Sequence, residues 1–271
     1  MNACEAIILR TEETDAAPPT AQTLCAFLAE YASELFSSGA TCIRMERNVR
    51  RIAAAYGKSA EIAIFPRHLH ITVSEPDSIE VVTSIVAMRE APISFQINTQ
   101  LSRLSWDVAD SNLTFGHMVR EFQQILRSPG TPRWLVLLLA SLANASFCRL
   151  FGGDFVAMTV VAIATFAGLS LKQMLTEKKT DFRLTVMICA FVSSILAAAD
   201  TLFSLGTTPD ITIGTSVLYL VPGIPFINSF CDMLDRHYIC AFGRLMNAIV
   251  ITACLSAGLC LGMFAMNVGM F

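Results

Sequence analysis

The apolar positions of this chain recur in three different rhythms. Leu24, Phe27, Leu28, Tyr31 and Leu35 fall at helical spacing, and Gly39 after Ser37 and Ser38 marks a stop. In "TCIRMERNVRRIAAAYG", Met45, Val49, Ile52 and Tyr56 form one helical stripe, and Gly57 suits its C-terminal end. The period then shortens to two. "AEIAIFP" and "RHLHITVS" predict adjacent strands, and "PISFQINT" predicts a third. "SRLSWDVADSNLTFGHMVREFQQILRSP" predicts two short helices. From Trp134 onward the alternation stops and apolar residues fill whole segments.

A helix needs about 20 mostly apolar residues to cross a bilayer. Five segments qualify as spans: Trp134 to Leu150, Phe155 to Leu171, Leu184 to about Leu205, a segment starting at Ile211, and Leu245 to the C-terminus. The fourth meets Pro222 too early to cross unbroken. Pro222 lacks an N–H, Gly223 is conformationally free, and Pro225 suits the first turn of a new helix. The pattern predicts two half-helices joined at membrane depth. Such a break is tolerated inside protein or along a water-filled cavity, and it builds substrate sites in secondary transporters. A proline kink that only shapes the bundle is the other reading.

The expected fold is therefore a membrane α-helical one, with five transmembrane helices and a discontinuous fourth span, preceded by a small cytoplasmic α+β domain. The division is a disordered tail at 1–17, the α+β domain at 18–133 and the membrane domain at 134–271. Lys and Arg cluster before the first span, between the second and third (Lys172, Lys178, Lys179, Arg183) and between the fourth and fifth (Arg236, Arg244). That bias predicts a cytoplasmic N-terminus and a C-terminus outside. The first residues lack the basic start and long apolar run of a signal peptide, which agrees.

Composition sharpens the division. The 271 residues are 54% hydrophobic, against about 45–50% in soluble domains. Before Trp134 there are 12 Lys/Arg and 15 Asp/Glu; from Trp134 there are seven of each. A net charge of −3 gives no basic face for nucleic acid. The nine cysteines form no C-x-x-C pair and read as free thiols. His68 and His70 share a strand face, but no Cys or carboxylate completes a metal set. No cofactor or metal is expected. The chain carries no G-x-x-x-x-G-K-[ST] loop and no recognisable catalytic set, so it does not read as an enzyme.

Polar residues inside spans are costly and point to function. Asn144 lies mid-span in the first and Asp200 lies in the third. Asn144 could equally glue two helices, and Asp200 could lie near the outer interface. Asn228 and Asp232 share a face of the second half-helix, and Arg244 can pair with Asp232. Such a pair could hold a carboxylate or zwitterion, or act as a structural lock. Arg44, Arg47, Arg50 and Arg51 lie mostly off the apolar stripe of their helix, as a solvated face or a surface for lipid headgroups or a partner.

"LVPGIPFINSFCDML…FGRL" resembles the hallmark of the threonine/serine exporter family. "SGATCIRMERNVRRIAAAYG" and "FCRLFGGD" resemble two further family stretches in the right order. The resemblance implies an exporter and marks Pro222, Gly223, Pro225, Asn228, Asp232, Gly243 and Arg244, with Gly152, Gly153 and Asp154 in the loop. Five spans resemble the longer subunit of the family's two-chain branch, linked to succinate export. That implies a bacterial inner-membrane subunit with a short membrane partner. The expected substrate is a small carboxylate, either a succinate-type dicarboxylate or threonine/serine, held at the half-helix N-terminus of the broken fourth span, with Pro222, Gly223, Pro225, Asn228, Asp232, Arg244, Asn144 and Asp200 along its path. Asp200 and Asp232 are candidates for ion coupling. The alternative is a non-transporting assembly or sensor subunit working through its cytoplasmic domain.

Overall fold

A computed structural model describes residues 18–76, 81–88, 92–111, 113–203 and 206–268. The expected tail at 1–17 lies outside them. The chain forms two compact units. One holds Met1–Pro129 and Ile224–Leu245; the other holds Gly130–Gly223 and Met246–Phe271. The segment 224–245 groups with the N-terminal unit.

The first unit opens with helices α1 (Ala21–Ser37) and α2 (Cys42–Ala55). Thr20 caps α1 by accepting the Thr23 N–H at 3.2 Å. Gly39, at φ +96°, ends it in the left-handed region that glycine allows. Strands β1 (Ser59–Ile64), β2 (His68–Ser74) and β3 (Val81–Ala87) form an antiparallel sheet in that order. Leu69, Ile71 and Val73 of β2 are fully buried. They pair with Ile64, Ile62 and Ala60 of β1 and with Val86, Ser84 and Val82 of β3, so that face of the sheet is apolar but for Ser84. That face packs under α1, with α3 (Phe95–Ser111) and α4 (Phe115–Arg127) completing the core. Phe27 and Phe122 meet edge to face at 5.3 Å. Each fully buried side chain of this size stabilises by roughly 1.5–3 kcal/mol.

One strand expectation is corrected. "PISFQINT" is not a strand. Ser94 starts α3, with its Oγ accepting the Ile97 N–H at 3.4 Å and its carbonyl the Asn98 N–H at 3.0 Å. Asn98, Leu101, Leu104 and Val108 then line the buried face at helical spacing. The third strand is "VVTSIVA" at Val81–Ala87.

The second unit contains α5 (Arg133–Leu150), α6 (Phe155–Glu177), α7 (Phe182–Leu202), α8 (Pro209–Ser216), a 3-10 turn at Leu218–Leu220 and the later part of α10 (Tyr238–Ala265). Helix α9 (Gly223–Leu234) lies between the turn and α10. Among the described residues, four helices are long and apolar enough to cross a membrane: α5, α6, α7 and α10. A fifth span results if Pro209–Leu220 and Gly223–Leu234 count as one broken span. The last helix begins at Tyr238, seven residues before the expected Leu245. Arg244, expected between the fourth and fifth spans, therefore lies within it.

The second unit is polar inside and apolar outside. Asn144, Thr165, Ser193, Ser194 and Asp200 are buried, whereas Leu142, Ile163 and Phe166 are at least half exposed. Water would penalise that arrangement, and hydrocarbon stabilises it. Close packing needs the glycines. A Cβ on Gly258 would lie 2.3 Å from the Met187 carbonyl oxygen. A Cβ on Gly168 would lie 2.0 Å from the Tyr219 hydroxyl.

Candidate functional site

Within the first unit, α9 and the start of α10 meet the turn between α1 and α2. The chain arrives through a tight turn about the buried Pro222, where the Gly223 N–H donates to the Val221 carbonyl at 2.9 Å. Pro225 then occupies the first turn of α9, where its missing N–H costs nothing. A Cβ on Gly223 would meet nothing within 4 Å, so this helix start is open.

Helix α9 is polar inward. Ser229 and Asp232 are buried, while Ile227, Phe230 and Leu234 are more than 60% exposed. Asn228 Nδ2 donates to the Gly39 carbonyl at 2.9 Å. Asp232, fully buried, accepts the Cys42 N–H on Oδ1 at 2.8 Å. Cys42 is the first residue of α2, so the carboxylate sits on the positive end of that helix. Arg244 Nη2 donates to the Ala40 carbonyl at 2.7 Å. Its Nη1 lies 3.2 Å from Asp232 Oδ2. That contact is an ion pair without hydrogen-bond geometry, and among the described residues neither atom has a hydrogen-bond partner. The guanidinium also stacks 4.2 Å from the Phe36 ring centre.

The surroundings tighten this clamp. Gly243 lets α10 approach the β1–β2 turn, because a Cβ there would come 3.0 Å from Pro66 Cγ. His237 Nε2 lies 3.4 Å from Glu46 Oε2. The Cys42 thiol is held above its ordinary pKa, first by its hydrogen bond with Cys240 and then by burial. Sequence reasoning foresaw the Asp232–Arg244 contact but not Gly39, Ala40 and Cys42 as its partners. The only signal was the "SGAT" stretch, which gives no clue that it meets residues so much later in the chain.

The second unit holds a separate polar cluster. Gly152, at φ +92°, ends α5. Gly153 follows where a Cβ would strike Cys148 Sγ at 2.5 Å. Asp154 caps α6 through Oδ1, which accepts the Ala157 N–H at 2.7 Å. Its Oδ2 accepts the Thr207 N–H at 2.6 Å and hydroxyl at 2.9 Å. These bonds hold the Asp154 carboxyl below its ordinary pKa, the Ala157 N–H contributing most.

Asp200 is fully buried and binds the same loop. Its Oδ1 accepts the Gly206 N–H at 2.8 Å and its Oδ2 the Thr212 hydroxyl at 2.6 Å. A Cβ on Gly206 would lie 3.0 Å from both Asp154 Oδ2 and Asp200 Oδ1. The two acidic residues thus converge on one segment, which the spacing of 154 and 200 gave no reason to expect. Asn144 stands apart. Its Nδ2 donates to the Thr165 hydroxyl at 2.6 Å and the Thr215 carbonyl at 3.0 Å, joining α5, α6 and α8. His68 is exposed and His70 half-buried on β2.

Residues 26–266 match the ThrE family model, that of the threonine/serine exporters. The chain is 28% identical over 231 residues to the Klebsiella aerogenes protein named "Probable succinate transporter subunit YjjP", covering 84% of this chain and 88% of that protein. The Escherichia coli K12 protein of the same name is 27% identical over 229 residues, covering 83% and 87%. The Mycobacterium tuberculosis "Probable threonine/serine exporter" is 21% identical over 179 residues, covering 66% of this chain and 34% of that protein. No solved structure matches the chain. These relatives are named as transporters, not enzymes, and the helices fit a multi-pass membrane protein. The chain belongs to the threonine/serine exporter family.

Proposed function

We propose that this chain is one subunit of a secondary exporter for small carboxylate metabolites, working with a short membrane partner in a bacterial inner membrane. The N-terminal domain would face the cytoplasm and the C-terminus the outside. The observation that carries this reading is the broken segment at Pro222: α9 has an open N-terminus and presents Asn228 and Asp232 on its inner face. Helix N-termini of such breaks attract carboxylates in transporters. The YjjP relatives are named as succinate transporter subunits, which favours a dicarboxylate over threonine or serine.

The Asp232–Arg244 contact serves this reading as a lock. Both groups are spent on the α1–α2 turn, so export requires that the contact open or that it hold α9 while substrate passes its other end. Asp200 and Asp232 remain the candidates for coupling to an ion gradient. The test is efflux from vesicles loaded with labelled succinate, threonine or serine, with and without the partner. Normal export by both Asp232→Asn and Pro222→Ala rules out the broken-span site.

The sensor reading draws its support from the same clamp. Deleting residues 1–130 is a poor discriminator, because it removes Gly39, Ala40 and Cys42 and leaves Asp232 and Arg244 without partners. Efflux by the intact chain with its partner separates the two readings: transport favours the first, and its absence while the clamp is intact favours the second.

A further inference from the structure

Helices α2 and α3 flank an open cavity of about 460 Å³ in the first unit. Its wall carries Arg44, Arg47 and Arg51 from successive turns of α2, with the hydroxyls of Thr99 and Ser102 opposite. Trp106 forms one end. Seven residues of helix place Arg44 and Arg51 about 10 Å apart along the axis.

Arg44 and Arg51 are held in place, but not by acids. Arg44 Nη1 donates to Asn98 Oδ1 at 2.9 Å. Arg51 Nη1 donates to Asn48 Oδ1 at 2.9 Å and to the Ser105 hydroxyl at 2.7 Å. Its guanidinium stacks 3.6 Å from the Trp106 ring centre. Asn48, Asn98 and Ser105 are themselves buried. Among the described residues, none of the three arginines has a carboxylate within ion-pair distance. Arg50, on another face of the same helix, has both Glu46 and Glu61 at 2.8 and 2.9 Å. Burial holds the Arg51 pKa below its ordinary value, with a smaller contribution from the charge of Arg47, against the opposing pull of Tyr31 and Asp110. Three guanidiniums on one wall without a carboxylate in ion-pair reach leave that wall of the groove positive.

We propose that the α2–α3 groove is a binding site for a small anion presenting two carboxylates, clamped by Arg44, Arg47 and Arg51. Arginine forks match carboxylates two bonds at a time, and two acidic groups suit three guanidiniums strung along one helix. The hydroxyls of Thr99 and Ser102 complete the ligand's remaining acceptors. Thr41 lines the groove next to Ala40, whose carbonyl Arg244 holds. The choice of a dicarboxylate rests on the proposed transport function, whereas the groove uses none of the residues of the broken fourth span.

The chain has two tryptophans, so Trp134→Phe leaves Trp106 as the reporter. The full-length protein in detergent is titrated with succinate, acetate, inorganic phosphate and vesicles of anionic lipid, at constant ionic strength. The same titrations are followed by calorimetry. The expected result is a saturable Trp106 response to succinate, weakened about tenfold or more in Arg47→Gln. Acetate should bind far more weakly. Four outcomes overturn the proposal: no Trp106 response together with identical calorimetry in parent and Arg47→Gln, a response unchanged by Arg47→Gln, tighter binding of phosphate than of succinate, or a response to anionic vesicles alone.

Discussion

Asp232 Oδ1 accepts the backbone N–H of Cys42 at 2.8 Å, joining positions 190 residues apart. The same carboxylate faces Arg244 with its other oxygen. Removing one partner of a buried ion pair costs about 3–5 kcal/mol, because the remaining charge is stranded. Asp232→Asn should therefore lower stability by several kcal/mol, and combining it with Arg244→Met should cost less than the sum. A thermal-unfolding double-mutant cycle in detergent measures the coupling, expected at about 1–3 kcal/mol. Additive losses would show that the two side chains do not interact.

Gly258 and Gly262 should differ although both lie on α10. A Cβ at 258 meets the Met187 backbone oxygen at 2.3 Å, and backbone cannot turn aside. At 262 the nearest atom is Ser194 Oγ at 1.7 Å, which can rotate away, although the Phe191 carbonyl stands at 3.0 Å. Gly258→Ala should cost about 1–3 kcal/mol. Gly262→Ala should cost less, and adding Ser194→Ala should recover much of its loss. Melting temperatures of the three variants check the order.

Asp154 gives a pH signature. Its folded pKa is depressed, chiefly by the Ala157 N–H. Its contribution is thus complete above the ordinary carboxylate value of about 3.9 and disappears as pH falls through the lower folded value. Asp154→Ala should melt below the parent at pH 7, and the gap should close in strong acid. A gap that persists there would assign the loss to something other than the charge.

Asn144 and Asp200 should separate structural glue from a working acid. Asn144→Ala removes two interhelical hydrogen bonds, and such bonds within membranes are worth about 0.6 kcal/mol each on average. Export should survive this change. Asp200→Asn keeps the shape of the cluster and removes the charge. If Asp200 couples export to a gradient, succinate efflux should lose its dependence on an imposed pH or ion gradient while the protein stays folded.

Where contacts are local, the sequence could be read directly. The stripe Met45, Val49, Ile52 lies on the buried face of α2, and the alternation in "RHLHITVS" became β2 with Leu69, Ile71 and Val73 inward. The third strand was hidden because Val81 and Ile85 are apolar yet exposed, which blurs the period of two. "PISFQINT" misled for the opposite reason: Ile93, Phe95 and Ile97 alternate, but Ser94 caps a helix there. The break at Pro222 was legible because proline acts on its own backbone. What Asp200 and Asp232 touch was not, because their partners are a loop glycine and a helix N-terminus, and neither leaves a side-chain pattern to match.

The clamp on α9 also has a direction in time. Residues 39 to 42 leave the ribosome long before Asn228, Asp232 and Arg244, by about 10–40 s at usual rates of synthesis. The α+β core needs none of the later residues to bury Leu24, Phe27 or Ile71. It can stand complete as a template while the first spans enter the membrane. Helix α9, too polar on its inner face to rest in lipid alone, then finds its carbonyls and its N–H already in position. The order of synthesis therefore lets the α1–α2 turn be made before the polar helix that docks on it.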